Sequence, residues 1–514
     1  MSGFIGWTIA AFVIYLAVMI IVGAVYVKEN NSTADYFLGG RKLNGWVAAF
    51  SAQASDMSGW LLMGLPGSVY ALGTGQIWIA VGLFIGTVCN WIFISGRLRR
   101  YTIRANNALT LPTYFENRFH DKKRILLLIS SITIIVFFLV YTASALAAGG
   151  KLFNSVFGID YKIALTIGAV VILVYTFMGG FLAVCTTDFI QGTLMLIGLL
   201  VVPIIAINLV GMENITTILE QSGVPGGAAG FLSPINDGTR QYKAVEIISQ
   251  LAWGLGYCGM PHILVRFMAI RDEKELKKSK GIAIVWVALS LVFACIIGVA
   301  GRAYLFPEQL SGGAEEKVFI EMIIKIFTQD IRVPLIGGIF LCGILAAIMS
   351  TADSQLLVTA SSMAEDIFKG IIRKDADDKT VLRVSRITVI VIAVLAYIIA
   401  LNPNSSIMGL VSNAWAGLGA AFGPTVLLSL YWKRTNLQGA VSGIAVGALT
   451  VITWDYLPLV SGQTLGDVTG LYSLAIGFAM SVLAIVVVSL LTPAPGEEIL
   501  QEFDDVKNNR NIEG

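Results

Sequence analysis

The sequence contains few charged residues: Asp, Glu, Lys and Arg make up 13% of its 514 residues, whereas 56% are hydrophobic. A soluble domain carries about 25% charged residues. The charges lie between long apolar runs, and the mean hydropathy is +0.78. The chain is therefore predicted to be a polytopic membrane protein. Its formal net charge of +2 gives no indication of a nucleic-acid partner.

Residues that commonly carry catalysis or bind metals are also scarce. The only histidines, His120 and His262, are too far apart in the sequence for a histidine-based metal centre. No Ser/His/Asp, phosphate-loop or dinucleotide-binding signature stands in a suitable loop. These absences argue against an enzyme and against an ATP-driven pump. The cysteines occupy apolar stretches at unrelated spacings, which predicts small core residues: Cys89, Cys185, Cys258, Cys295 and Cys342.

Long apolar segments dominate the chain. A helix needs ~20 apolar residues to cross a bilayer. The sequence therefore predicts an all-α fold of about thirteen spans, at residues 4–27, 43–70, 75–96, 125–150, 162–180, 188–210, 244–264, 281–303, 333–362, 384–402, 406–431, 436–456 and 468–492. We expect one transmembrane domain over residues 1–494 and a short tail over residues 495–514.

Basic residues are concentrated in alternate loops. They follow the third, seventh, ninth and eleventh spans, at Arg97, Arg99, Arg100, Arg104, Arg118, Lys122, Lys123, Arg124, Arg266, Arg271, Lys274, Lys277, Lys278, Lys280, Lys369, Arg373, Lys374, Lys379, Arg383, Lys433 and Arg434. Because basic loops stay in the cytoplasm, the N-terminus is predicted to be external and the tail cytoplasmic.

One span, in the stretch Ser51–Gly67, has a polar centre made of Ser55, Asp56, Ser58 and Gly59. A charge at membrane depth costs ~2.5–3.5 kcal/mol or more, so it indicates a functional site. A kinked helix with a buried, paired aspartate is the alternative. We favour a helix that is broken here and whose freed backbone groups hold an ion and a solute.

A second span is interrupted in the same way by the segment WGLGYCGMPH, from Trp253 to His262. Its glycines and Pro261 make a continuous helix improbable, although a kinked helix with aromatic packing is the alternative. Two interrupted helices at corresponding positions of two halves indicate an inverted-repeat transporter. Spans 2–6 and 7–11 would then be five-helix repeats, over about residues 43–210 and 244–431.

The ninth span places several oxygen-bearing side chains close together. Ser350, Thr351 and Ser354 share a helix face at spacings of three and four residues, and Asp353 lies beside them. Hard oxygen donors suit a small hard cation such as Na⁺. Hydroxyl groups that join close-packed helices are the alternative.

Three further features leave more than one interpretation open. Asp188, at the start of the sixth span, could belong to a cation site or could be a helix N-terminal acid. Tyr141, among small residues of the fourth span, is on its own more typical of a core. The external segment EEKVFIEMIIKIF, which begins at Glu315, could lie on the membrane surface or cover the solute pathway.

Taken together, these segments resemble the sodium:solute symporter family over essentially the whole chain, and its proline-transporting branch in particular. The resemblance rests on FLGGRKL, SAQASDMSGWLLMGLPG, NNALTLPTYFENRF, GGFLAVCTTDFIQ, WGLGYCGMPHILVRFMA and ILAAIMSTADSQLL. It implies a LeuT-like core of two inverted five-helix repeats in a bacterial plasma (inner) membrane. It also implies coupling of Na⁺ entry to uptake of L-proline, without an obligate protein partner.

The resemblance further implies roles for individual residues. Na⁺ would bind to Ala54, Met57, Ala347, Ser350 and Thr351. Proline would bind to Ser58, Gly59, Trp60, Tyr141, Trp253, Tyr257 and Pro261. Supporting residues, or a possible second cation site, would be Ser55, Asp56, Asp188, Asp353 and Ser354. Alternative functions are Na⁺- or H⁺-coupled transport of a betaine, carboxylate or sugar, and a membrane solute sensor.

Overall fold

A computed structural model describes residues 2–27, 32–176, 180–460 and 462–509. These residues form helices and connecting loops, and the described part of the chain contains isolated β-bridges but no strand. The helices used below are α1 (Ser2–Val27), α2 (Gly45–Asp56), α3 (Trp60–Leu72), α4 (Thr74–Arg104), α5 (Ile125–Phe157), α6 (Tyr161–Thr176), α7 (Phe181–Val210), α8 (Ala244–Leu251), α9 (Pro261–Ala269), α10 (Glu273–Tyr304), α11 (Pro334–Ile372), α12 (Asp378–Ala400), α13 (Ile407–Tyr431), α14 (Leu437–Tyr456), α15 (Ser473–Leu491) and α16 (Glu497–Asn508).

The predicted all-α polytopic fold is confirmed. Within the described residues, ten helices are long and apolar enough to cross a membrane. The predicted spans 43–70, 162–180 and 244–264 correspond to the pair α2–α3, to α6 and to the pair α8–α9, which are shorter or interrupted. Residues 177–179 of the second of these spans lie outside the described residues. The total of thirteen spans stays a prediction.

An ordered pattern of elements occurs twice along the chain. An interrupted helix, α2–α3, is followed by α4, α5, α6 and α7, and a second interrupted helix, α8–α9, is followed by α10, α11, α12 and α13. Helix α11 occupies the centre, where it packs against α1, α2, α5 and α7. The first interrupted helix contacts α11 and the second break packs against α13, the two most buried of the ten long apolar helices in the described residues.

The first interruption follows from the local sequence. Helix α2 ends at Asp56, and Met57 has backbone angles of φ −83° and ψ 80°, outside the helical region. The amide of Met57 still donates to the carbonyl oxygen of Gln53, at 2.8 Å. Helical geometry resumes at Gly59, where an added Cβ atom would lie 2.8 Å from Cβ of Ala148. The glycine therefore permits a close approach between this break and α5.

The second interruption is longer. Residues Ala252–Gly259 form a 3₁₀ turn, and Met260 is extended before Pro261 begins α9. Proline suits the first turn of a helix because its missing N–H would have no intrahelical acceptor there. At Gly86 of α4 an added Cβ atom would lie 2.2 Å from the carbonyl oxygen of Gly254. The 3₁₀ turn can therefore pack directly against α4 only because glycines lie on both sides.

Two segments outside the spans also have defined structure. The amphipathic segment that begins at Glu315 forms Glu315–Lys317 and Val318–Lys325, two short helices that pack against α3 and α5. Both interpretations of this segment, on the membrane surface or over the solute pathway, stay predictions. In the tail, α16 lies against the cytoplasm-predicted end of α4 and buries Phe503 and Val506.

Candidate functional site

The two interruptions are joined by a hydrogen bond between their side chains. The hydroxyl group of Tyr257 donates to Oδ2 of Asp56, at 2.6 Å, and both residues are fully buried. The side-chain amide of Asn90, from α4, donates to the carbonyl oxygen of Tyr257, at 3.0 Å. Asp56 is thus the residue through which the first break is tied to the second.

A set of oxygen atoms lies between the first break and α11. Oγ of Ser350 lies 2.8 Å from the carbonyl oxygen of Ala54 and 3.2 Å from that of Ala347. Oγ1 of Thr351 lies 3.4 Å from the same carbonyl oxygen of Ala54. These four residues are fully buried. The structure therefore brings together four of the five predicted Na⁺ ligands, and the fifth, Met57, is the residue at which α2 is interrupted.

Several residues predicted to contact solute surround the first break. The indole N–H of Trp60 donates to the carbonyl oxygen of Asp56, at 2.9 Å, and Oγ of Ser58 accepts from the backbone N–H of Trp60, at 3.3 Å. Tyr141, from α5, lies beside the side chains of Ser58 and Trp60. Ser58, Trp60, Tyr141 and Tyr257 therefore form one buried group around Asp56.

Trp253 and Pro261 occupy opposite ends of the second break. The Trp253 ring stacks on Tyr472 with ring centroids 5.2 Å apart, and its carbonyl oxygen accepts from the indole N–H of Trp415, at 2.8 Å. Pro261 lines a separate small cavity with Ile134 and Phe181. These two predicted solute contacts therefore lie on either side of the central group.

The predicted second cation site contains a cation of the protein itself. Nη2 of Arg266 lies 3.2 Å from Oδ2 of Asp188 and 2.6 Å from Oγ of Ser354. Ser51 donates to the same carboxylate oxygen, at 2.6 Å, and Ser354 also donates to Asp353, at 3.3 Å. The guanidinium group therefore lies among the carboxylates and hydroxyls that were candidates for an ion.

This geometry corrects two interpretations of the sequence. Arg266 was counted with the basic loop after the seventh span, but it lies within α9 and is fully buried. Asp188 does not cap α7: the helix begins at Phe181, and its N-cap residue is Gly180. The spacing of four residues between His262 and Arg266, inside an apolar run, was the signal available for placing the arginine on a buried helix.

Ser55 and Asp56 do not join the group around Arg266. Oγ of Ser55 donates to the carbonyl oxygen of Ala52, at 3.2 Å, within its own helix. Asp56 belongs with Tyr257, as described above. Of the supporting residues proposed from the sequence, only Asp188, Asp353 and Ser354 therefore gather at one place.

Sequence reasoning also missed a buried ion pair between two distant segments. Nζ of Lys151, in α5, lies 2.5 Å from Oε2 of Glu316, in the amphipathic segment that begins at Glu315. Glu316 also accepts from the backbone amides of Ile407 and Met408, both at 3.2 Å, at the start of α13. The pair ties three elements together, and no local sequence pattern links residues this far apart.

Two interrupted helices that meet in the interior of a bundle, beside oxygen donors of a third helix, define a secondary transporter of the broken-helix type. A model of the sodium:solute symporter family matches residues 36–447. The chain belongs to the sodium:solute symporter family. It is a multi-pass transporter of the bacterial plasma membrane and not an enzyme.

Relatives match almost the full length of the chain. It is 43% identical to an osmoregulated proline transporter of Bacillus subtilis over 490 residues, which cover 95% of this chain and 96% of that protein. It is 44% identical to a sodium/proline symporter of Haemophilus influenzae, with 97% of each chain covered. Among solved structures, a Na⁺-coupled sialic acid symporter matches with a TM-score of 0.77 at 21% identity, covering 96% of this chain and 99% of that one. That match confirms the LeuT-like fold.

Proposed function

We propose that this protein couples Na⁺ entry to the uptake of L-proline by alternating access. The observation that carries the proposal is the contact of Ser350 and Thr351 with the carbonyl oxygen of Ala54. It places hard oxygen donors from two elements at one point, and Ala54 precedes Ser58 by four residues. The relatives named above, which are proline transporters over almost the same length, support proline as the solute.

Na⁺ would bind to the carbonyl oxygens of Ala54, Met57 and Ala347 and to the hydroxyls of Ser350 and Thr351. Carbonyl and hydroxyl oxygens match the preference of a small hard cation. The hydroxyls of Ser350 and Thr351 both donate to the carbonyl oxygen of Ala54. An ion bound between α2 and α11 would replace those bonds and fix the break in one conformation.

Proline would bind in the adjacent buried group of Ser58, Gly59, Trp60, Tyr141 and Tyr257, with Trp253 and Pro261 at the two ends of the second break. The secondary ammonium of proline suits the face of an aromatic ring. Because the ion and the solute share the first break, each would raise the affinity of the other by the same factor. That reciprocity is the physical basis of coupling.

Alternating access requires closure on each side of this group. The external closure would be the Lys151–Glu316 pair, which joins α5, the external segment and α13. On the other side, Arg41 donates to the carbonyl oxygen of Ala108, at 3.0 Å, and to Oδ1 of Asn107, at 2.7 Å. We place this second closure in the cytoplasm, with the N-terminus external and the tail 495–514 cytoplasmic. The two repeats, 43–210 and 244–431, would form the core of one domain, 1–494.

We assign a supporting role to Asp188, Asp353 and Ser354. The guanidinium of Arg266 already neutralises a carboxylate there, so this region would position α9 against α7 and α11. The five ligands at the first break would then form the Na⁺ site that drives transport.

The test is uptake by purified protein in proteoliposomes. Radiolabelled proline should accumulate above equilibrium when a Na⁺ gradient points inward, and it should not accumulate when K⁺ replaces Na⁺. Inhibition of proline uptake by unlabelled betaines, carboxylates and sugars shows which solute class the protein prefers. Uptake driven by an inward H⁺ gradient shows whether H⁺ can replace Na⁺ as the driving ion. Equal accumulation with K⁺ would contradict Na⁺ coupling, and stronger competition by another solute class would contradict proline.

A further inference from the structure

His262 is a buried polar residue that the proposed transport mechanism does not yet use. It is the second residue of α9 and is fully buried. Within the described residues, neither Nδ1 nor Nε2 of its ring has a hydrogen-bond partner. A buried polar group without a partner destabilises a folded protein by ~1–3 kcal/mol. Such groups are rare in native structures and call for an explanation.

The His262 ring lies against α5 at the edge of the group that would bind solute. Its centroid is 5.4 Å from that of Phe138 and 6.1 Å from that of Tyr141, both in edge-to-face geometry. The hydroxyl group of Tyr141 is also buried and lies beside the side chains of Ser58 and Trp60. The unsatisfied imidazole therefore lies next to a second buried polar side chain.

The backbone of His262 is firmly held although its ring is not bonded. Nη1 of Arg266 donates to the carbonyl oxygen of His262, at 2.8 Å. Arg266 is itself held by Asp188 and Ser354. The imidazole is therefore positioned in advance, with its hydrogen-bonding capacity unused. This is the arrangement expected of a group that a ligand satisfies, because preorganisation lowers the entropy lost on binding.

We propose that the imidazole of His262 donates a hydrogen bond to the carboxylate of the transported amino acid, with the hydroxyl of Tyr141 as a second donor. In every protonation and tautomeric form an imidazole ring carries at least one N–H, and a carboxylate only accepts. A hydrogen bond to a charged acceptor is about twice as strong as one between neutral groups. A solute without a carboxylate would leave the imidazole donor unpaired, which is how a buried site rejects close analogues.

The inference rests on the proposed function, because it assumes that the solute is an amino acid. Its test compares His262→Phe, which keeps an aromatic ring but removes both nitrogens, with His262→Gln, which keeps hydrogen-bonding groups. His120→Phe is the matched control, since His120 lies at the tail and pairs with Glu502. Uptake of labelled proline is measured in proteoliposomes at saturating Na⁺, with prolinamide, which lacks the carboxylate, as competitor.

We expect His262→Phe to raise the KM for proline by ~10-fold or more, as for the loss of a hydrogen bond to a charged group. The Na⁺ concentration for half-maximal uptake should stay within about twofold of wild type. The discrimination between proline and prolinamide should fall by about the same factor as the affinity for proline. His262→Gln should recover most of the affinity, and His120→Phe should behave as wild type.

A KM within twofold of wild type in His262→Phe, or unchanged discrimination against prolinamide, would overturn the inference. Thermal unfolding of the purified variants separates a binding role from a structural one. Without proline, His262→Phe should unfold at or above the wild-type temperature, since an unpaired polar group has been removed. Its stabilisation by proline should be reduced. A variant that unfolds at a lower temperature but keeps the full proline-induced shift would also contradict the inference.

The wild-type arm of the same experiment tests the proposed function separately. Uptake of a different amino acid by wild type would contradict proline as the solute, and the His262 variants would then be compared with that amino acid. Transport of a solute without a carboxylate would overturn both the proposed function and the inference about His262.

Discussion

Oγ of Ser350 lies 2.8 Å from the carbonyl oxygen of Ala54, so the central helix α11 contacts the first break at the point where the backbone leaves helical geometry. A continuous α2 would bond that carbonyl to an amide one turn later. The break frees such oxygens, and α11 supplies hydroxyls opposite them. This contact joins the proposed ion site, the break and the buried central helix α11.

The first prediction concerns the hydroxyls of this contact. Ser350→Ala and Thr351→Ala should each raise the Na⁺ concentration for half-maximal proline uptake by ~10-fold, because each removes one oxygen ligand. The maximal rate at saturating Na⁺ should fall less. The measurement is the initial uptake rate as a function of Na⁺ concentration.

Thr359→Ala is the control for these variants. Thr359 is buried on the same helix, but its hydroxyl donates to the carbonyl oxygen of Gln355 within α11. Its Na⁺ dependence should match wild type. An unchanged Na⁺ dependence in Ser350→Ala and Thr351→Ala would remove both residues from the ion site.

The second prediction concerns the buried ion pair between Asp188 and Arg266, whose side chains are both fully inaccessible. Removing one partner leaves an uncompensated buried charge, so Asp188→Leu and Arg266→Met should each lower the free energy of unfolding by ~3–5 kcal/mol. In the double variant, the free energy of unfolding should fall by much less than the sum of the decreases in the two single variants. Thermal unfolding in detergent gives the comparison.

An exposed ion pair serves as the reference for the variants of Asp188 and Arg266. Nζ of Lys433 lies 2.5 Å from Oδ2 of Asp504, but both side chains are nearly half exposed. Lys433→Ala should therefore change the free energy of unfolding by less than ~1 kcal/mol. Strictly additive losses at Asp188 and Arg266 would show that the two charges do not stabilise each other.

The third prediction concerns the external closure. Glu316 accepts from the backbone amides of Ile407 and Met408, so Glu316→Ala should expose both amides to solvent. Hydrogen exchange, followed by mass spectrometry, should become faster in the peptide that covers residues 406–410. Exchange near the Asp188–Arg266 pair should remain slow.

Glu315→Ala provides the matched comparison, because the neighbouring Glu315 accepts from the nearby loop amide of Gly313 and not from the amides at the start of α13. It should leave exchange at the start of α13 unchanged. Equal acceleration in the two variants would mean that Glu316 does not hold the outer end of α13.

The positions of both interruptions could be predicted from the sequence. Asp56 and Gly59 in one span, and the glycines with Pro261 in another, oppose a continuous helix through local backbone chemistry. The shared face of Ser350 and Thr351 followed from helical spacing, which is also local. Features that arise from neighbouring residues are visible in one sequence.

Partners distant in the sequence could not be predicted in this way. The indole N–H of Trp415 reaches Trp253, and Lys151 reaches Glu316, across more than a hundred residues in each case. Arg266 was misplaced for the same reason: its charge favoured a loop, whereas its contacts with Asp188 in α7 and Ser354 in α11 explain its burial. Packing between helices determines which of these residues meet, and the hydropathy of a sequence does not show how its helices pack.

The central claim is that Na⁺ and proline bind with reciprocal coupling at the first break. The most direct measurement is the Kd for proline, by calorimetry on purified protein, over a series of Na⁺ concentrations at constant ionic strength. We predict that the Kd falls as Na⁺ rises in the wild type, and that Ser350→Ala shifts this dependence to higher Na⁺ concentrations. A Kd for proline that is the same with Na⁺ and with K⁺ would contradict the account.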